Sequence, residues 1–202
     1  MAGDICPHFS HKAGSAEDIA GQVRFLEYRF KPWLEAQPAA AIVGIWGNHD
    51  FVGEQQLNMV PELPWTLLND TATTVANLSL YGTPFTPTFY NWAFMEDEPK
   101  LAERFARIPA NVDILISHGP PKWACDRMDN GERVGSTALF NQLTTMLNPP
   151  QHVVCGHIHC GRGHATVFNP AAGVEIWNVA GVDERYIPHE QMWTEILIDD
   201  NN

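Results

Sequence analysis

The stretch Ala41-Ile42-Val43-Gly44-Ile45-Trp46-Gly47-Asn48-His49-Asp50 decides how the chain is read. Its first part is a short apolar run of strand length. The run ends at Gly47 and is followed by Asn48, His49 and Asp50, which favour turns and also bind metals or move protons. In α/β sheets, sites form just beyond the carboxyl ends of strands.

The same arrangement occurs twice more. Val112-Asp113-Ile114-Leu115-Ile116 runs into Ser117-His118-Gly119-Pro120-Pro121. His152-Val153-Val154-Cys155 runs into Gly156-His157-Ile158-His159. Further strand-length runs lie at 73–75, 78–81, 165–168, 174–177 and 194–198. Three helices are predicted between them. Ser15-Ala16-Glu17-Asp18 has capping-box spacing and opens the pattern Ile19, Val23, Leu26, Phe30, which Pro32 is expected to kink or end. A second helix begins near Pro99 and stops before Pro109, and a third follows Ser136 through Leu139, Phe140, Leu143 and Met146. Helices alternate with strands early and strands dominate late, which predicts a mixed α/β architecture with helices covering sheets.

The 202 residues fit one domain spanning 1–202. A hydrophobic fraction of 45% with 18% charged residues is globular, not disordered. The formal charge is -12, from 24 acids against 12 bases. Bases such as Arg24, Arg29 and Lys31 are scattered singly, so tight nonspecific nucleic-acid binding is not expected. A phosphate substrate would then need a bound cation to neutralise it. No apolar run reaches the roughly 18 residues of a membrane span, and Met1–His8 does not read as a secretion signal. Cys6, Cys125, Cys155 and Cys160 read as reduced thiols of a cytoplasmic protein. Cys155 and Cys160 also flank His157 and His159, a zinc-knuckle alternative for which no second ligand pair is evident. A Gly-x-Ser-x-Gly elbow and a Walker-type loop are absent.

Each strand-end motif alone is an ordinary turn or surface histidine. Together, in this order, they place Asn48, His49, His118, His157 and His159 at one candidate metal site. Gly3-Asp4, Gly47-Asn48-His49-Asp50, the later His118 and Gly156-His157-Ile158-His159 resemble the ordered motifs of the calcineurin-like metallophosphoesterases. The resemblance runs from Gly3 to about Tyr186. The stretches at 81–87, 91–94, 117–121 and 178–186 are similar to a subgroup of small metallophosphoesterase-domain proteins of animal brain, with bacterial and phage relatives.

The resemblance implies a four-layer sandwich of two mixed sheets flanked by helices, and a pair of divalent ions such as Mn, Fe, Zn or Mg. Asp4 would bridge the ions, Asn48, His118 and His157 would complete one shell, and His159 would serve the other. His49 would sit over the substrate as general acid, with Asp50 orienting its ring. The implied activity is hydrolysis of a phosphodiester or nucleotide by metal-activated hydroxide. The chemistry is coherent, because paired ions neutralise phosphoryl oxygens and hold a hydroxide in line, and a histidine at the leaving oxygen donates its proton. Trp92 lies in an aromatic-rich stretch that is either a stacking wall for a base or ordinary core. Arg162 is either a phosphate contact or a solvated side chain.

One motif is missing. The family carries an earlier Asp-x-His at its first strand end, which ligates the ion that His159 serves. Only Met1, Ala2 and Gly3 precede Asp4. The chain is therefore read as lacking its first strand or strands, either because the protein begins upstream or because the segment is lost. As written it is expected to bind one ion well and the second poorly, and to hydrolyse weakly or not at all. The alternative reading is a non-catalytic metal-binding remnant. His8 and His11 lie just after Asp4 and are read either as substitutes for the missing ligands or, in preference, as residues of a solvated loop.

Overall fold

Ser15 caps the first helix as its spacing predicts, its hydroxyl accepting the Asp18 N–H at 3.3 Å, and α1 runs over Ala16–Phe25. In this computed structural model, which describes residues 1–198, the helical path then continues through a π-helical turn, Leu26–Phe30, into α2, Lys31–Glu35. Pro32 therefore does not end the helix. The wider turn ahead of it starts a new α segment, and Pro32 enters in the first turn, where its missing N–H is not needed.

Four layers follow from how the apolar faces pair. The main sheet holds six strands in the order β3 (Thr71–Val75), β4 (Leu78–Thr83), β7 (Ile114–Ser117), β8 (His152–Cys155), β10 (Gly173–Asn178), β9 (Gly163–Phe168). Its interior pairs are parallel and both edge pairs are antiparallel. Leu115, Val153, Cys155, Val174 and Ile176 face the helices α4 (Glu98–Phe105) and α5 (Thr137–Thr145). Ile114 and Ile116, on the opposite face by strand alternation, pack with Ile45, Leu68 and Ala2 of a second, smaller sheet.

That second sheet pairs β1 (Val43–Gly44) with β2 (Thr66–Leu67) in parallel, and Ala2 joins its other edge through a parallel bridge to Ile45. Beyond it, Leu26, Phe30 and Leu34 pack with Trp46 and with Phe51 and Val52 of the short helix α3 (Phe51–Gln55). The helix–sheet–sheet–helix order of the expected sandwich is present, with the second sheet short and parallel. A third pair, β5 (Thr86–Pro87) with β6 (Met95–Glu96), lies near the mouth of the site.

The strand expected at 194–198 does not form. Its residues are exposed or half-exposed, Leu197 at 84%, and no strand among the described residues lies beside it to complete a ladder. An apolar alternation becomes a strand only where N–H and C=O groups find partners. No helix among the described residues is long and apolar enough to cross a membrane.

Leu115 is fully buried at the centre of the main sheet. Leu115→Ala is expected to cost about 2–5 kcal/mol in equilibrium denaturant unfolding, because the layers on both sides prevent collapse of the cavity.

Candidate metal centre

Two glycines let the backbone close around the site. A Cβ on Gly3, whose φ is +89°, would lie 2.6 Å from both His118 Nδ1 and the Trp46 carbonyl. A Cβ on Gly47 would lie 2.3 Å from the Asp4 nitrogen. Only glycine leaves room for these loops to meet. Asp4 and His157 themselves sit at positive φ, 54° and 66°, a conformation uncommon for non-glycine residues.

Hydrogen bonds fix the approach. Asp4 Oδ1 accepts the His49 N–H at 3.0 Å. Asp50 accepts N–H groups from Gly47 at 2.6 Å, Cys6 at 2.7 Å and Ile5 at 3.2 Å. His118 donates its backbone N–H to the Thr83 carbonyl, and its own carbonyl accepts from Gly156, so β4, β7 and β8 deliver their ends together.

His118 Nδ1 lies 2.8 Å from the Ala2 carbonyl, which can only accept. Nδ1 therefore carries a proton, and in the neutral ring Nε2 holds the free electron pair. Nε2 lies 2.8 Å from Asn48 Oδ1 and 3.4 Å from Asp4 Oδ1. With the ring neutral, these donors would repel each other unless a proton or a cation sat among them. Ligand bonds of about 2.0–2.2 Å put neighbouring donors about 3 Å apart, so the residues fit a divalent ion. Ligating atoms of Asp4, His118 and His157 all lie within 4.8 Å of one another. Oxygen and imidazole donors together suit Mn, Fe, Zn or Ni.

Burial alone would raise the Asp4 carboxyl, but His118, His49 and His157 and the His49 N–H hold it below its ordinary value, as an anion. Burial, with His118 beside it, pushes His157 down to about 3, so it stands neutral with a lone pair available. Burial also lowers His49, against the pull of Asp4.

Asp4, Asn48, His49, His157 and His159 line one cavity of about 520 Å³, with His118 buried behind them. His159 directs Nδ1 at the Asp183 carbonyl, 3.0 Å away, and stands apart from the Asp4–His118–His157 group. Trp92 lines the cavity too and stacks on the His49 ring at 4.7 Å, so it belongs to the site wall.

Three expectations need correction. Asp50 does not orient the His49 ring. Its oxygens take backbone N–H groups of residues 5, 6 and 47, and burial raises its carboxyl, with the Asp4 charge adding to the rise. Arg162 does not line the cavity: it is half-buried, and its guanidinium donates to the Ala180 and Gln191 carbonyls. His8 is not in a solvated loop: its ring lies 4.7 Å from that of His49. The sequence did hold a signal for it, since Asp18 stands where a capping box places Glu and therefore has a carboxylate to spend elsewhere. The zinc-knuckle alternative also fails. Cys155 is buried in the core beneath α5, and Cys160 Sγ turns to the Arg127 carbonyl at 3.2 Å.

Comparison with known proteins follows the same residues. The profile of the calcineurin-like phosphoesterase family matches residues 1–161. Human metallophosphoesterase domain-containing protein 1 is 32% identical over 165 residues, covering 67% of this chain and 49% of that protein, and its mouse counterpart matches equally. A UPF0046 protein of Caenorhabditis elegans is 39% identical over 100 residues, 49% of this chain and 25% of that protein. The chain thus spans about half the length of the mammalian relatives and a quarter of the nematode one.

The displaced His157 gives a pH signature. Unfolded, it takes a proton near 6.5, and folded and metal-free only near 3, so between these values the unfolded state binds more protons. The thermal midpoint in EDTA is expected to fall as pH drops from about 6.5 towards 3, and His157→Gln is expected to remove part of that slope.

Proposed function

The chain belongs to the calcineurin-like phosphoesterase family, and from that premise we propose that it hydrolyses a phosphodiester or nucleotide with the help of divalent metal. The observation that carries the proposal is the convergence of Asp4, Asn48, His118 and His157, whose lone pairs face one point. These residues would hold one ion, and Asp4 with His159 would face a second position. Bound divalent metal supplies Lewis-acid neutralisation of the phosphoryl oxygens and a hydroxide at neutral pH.

The chain's own residues do the rest. His49 faces the cavity and donates a proton to the leaving oxygen, a contribution of typically 10²–10⁴-fold. Trp92 backs its ring. Phe89, Trp92 and Tyr186 give the cavity apolar walls for the organic part of an ester, where a base would stack. Lys122 lines the cavity and offers positive charge to an anionic substrate in a chain of formal charge -12, whereas Arg133, also in the lining, is paired with Asp126. A small phosphoester is therefore the proposed partner, not a nucleic-acid backbone. All four cysteines are free, which favours a reducing, cytoplasmic setting.

One observation favours a second reading, a metal-binding form without turnover. Among the described residues, the cluster of acidic and imidazole ligands is complete for one ion, and His159 stands outside it.

Metal content and turnover of a phenyl phosphodiester with Mn²⁺ separate the two. Under the hydrolase reading, His118→Ala loses bound metal and turnover together. His49→Ala keeps the metal and loses at least about 10²-fold in kcat. Stoichiometric metal with no wild-type turnover supports the second reading.

A further inference from the structure

The loop after Asp4 carries a histidine that none of the motifs uses. His8 Nδ1 lies 3.3 Å from Asp18 Oδ2. Asp18 is fully buried and also accepts N–H groups from Phe9 at 2.7 Å and Gly14 at 2.9 Å. Burial alone would raise its carboxyl, but these donors and His8 hold it below its ordinary value, so it accepts as an anion. The His8 proton therefore sits on Nδ1, and the ring is tethered to α1.

The tethered ring packs against the proposed general acid. His8 and His49 have ring centroids 4.7 Å apart with planes tilted by 42°. His49 stacks on Trp92 at 4.7 Å and 28°, and His8 closes the triangle at 5.1 Å from Trp92. His8 Nε2 is buried and has no hydrogen-bond partner among the described residues. Gln22, one helical turn after Asp18, reaches the same loop. It donates Nε2 to the His49 carbonyl at 2.7 Å and accepts the Val52 N–H at 2.9 Å. One face of α1 thus holds both the backbone of His49 and the ring beside it.

We propose that His8, tethered by Asp18, is a positioning residue that fixes the His49 imidazole against Trp92 for proton donation. This rests on the reading of His49 as general acid. An imidazole torsion is broad and roughly two-fold when unsupported. Ring contacts on two sides narrow it, and displacement of a reacting group by about 1 Å can cost roughly 10²-fold in rate. His8 takes the place that Asp50, committed to backbone, does not fill.

The test compares esters that need a proton with esters that do not. The full chain with Mn²⁺ is assayed on a phenyl phosphodiester, a poor leaving group, and on bis(p-nitrophenyl) phosphate, a good one. His8→Ala is expected to lower kcat for the phenyl ester by roughly 10–100-fold while leaving KM, bound metal and p-nitrophenyl turnover nearly unchanged. His8→Phe, which restores a ring of similar shape, is expected to recover most of the loss. Equal losses on both esters, or none on either, would overturn the proposal. Side-chain ¹⁵N and proton NMR reads the same contact without turnover. Wild-type His49 is expected to show cross-relaxation to His8 and Trp92 and one narrow set of ring signals, which broaden or double in His8→Ala. Unchanged His49 signals refute the positioning role, whereas a wild-type protein with this signature but no turnover refutes only the hydrolase reading.

Discussion

The site depends on one buried carboxylate that never meets its ligand. Asp50 accepts an N–H from its own loop at Gly47 and two from the Asp4 loop, at Ile5 and Cys6. A buried carboxylate is tolerated only when its lone pairs are satisfied, so two backbone segments, 44 and 45 residues apart in sequence from donor to acceptor, must keep this separation or leave the group unpaired. Asp4 and His49 inherit that constraint, since the Asp4 side chain accepts the His49 N–H across the same junction. Gly3 and Gly47 make the approach sterically possible, and Asp50 makes it energetically necessary.

Backbone strain at the ligands follows from the same closure. Asp4 and His157 hold left-handed conformations that cost about 1–3 kcal/mol each. Parallel strands end at one edge of the sheet, and a sharp turn immediately after the strand brings a side chain over that edge. The Ala2 carbonyl, on the edge of the small sheet, then fixes the His118 tautomer from a different layer of the sandwich. The candidate metal ligands are therefore preorganised by backbone, with Asp4 held as an anion and His157 neutral.

Much of this was legible in the sequence because apolar runs and turn residues are local signals. β8 has the bounds its apolar run predicts, and α5 begins directly after Ser136, its cap. What failed required knowledge of neighbours. The run at 194–198 has strand character but no ladder, and strand formation is decided by the partner. Pro32 ends helices in general, yet a π-helical turn one residue earlier absorbs it. The motif around His49 suggested that adjacent Asp50 would serve the ring, whereas residues adjacent in a tight loop point different ways. Arg162 followed a histidine motif and so suggested substrate, but two carbonyls across the chain claim it.

The two halves of the site have separate supports. Sheet ends and glycine turns hold Asp4, Asn48, His118 and His157, and the buried face of α1 holds His49 and its neighbours through Asp18 and Gln22. The halves are tied by the loop shared by Asn48 and His49, braced by Asp50, and by the Asp4 carboxylate, which accepts the His49 N–H. A change on α1 can still reach the His49 ring through His8 without passing through Asp4. The aromatic triangle of His8, His49 and Trp92 is held by helix and loop contacts that do not require an ion.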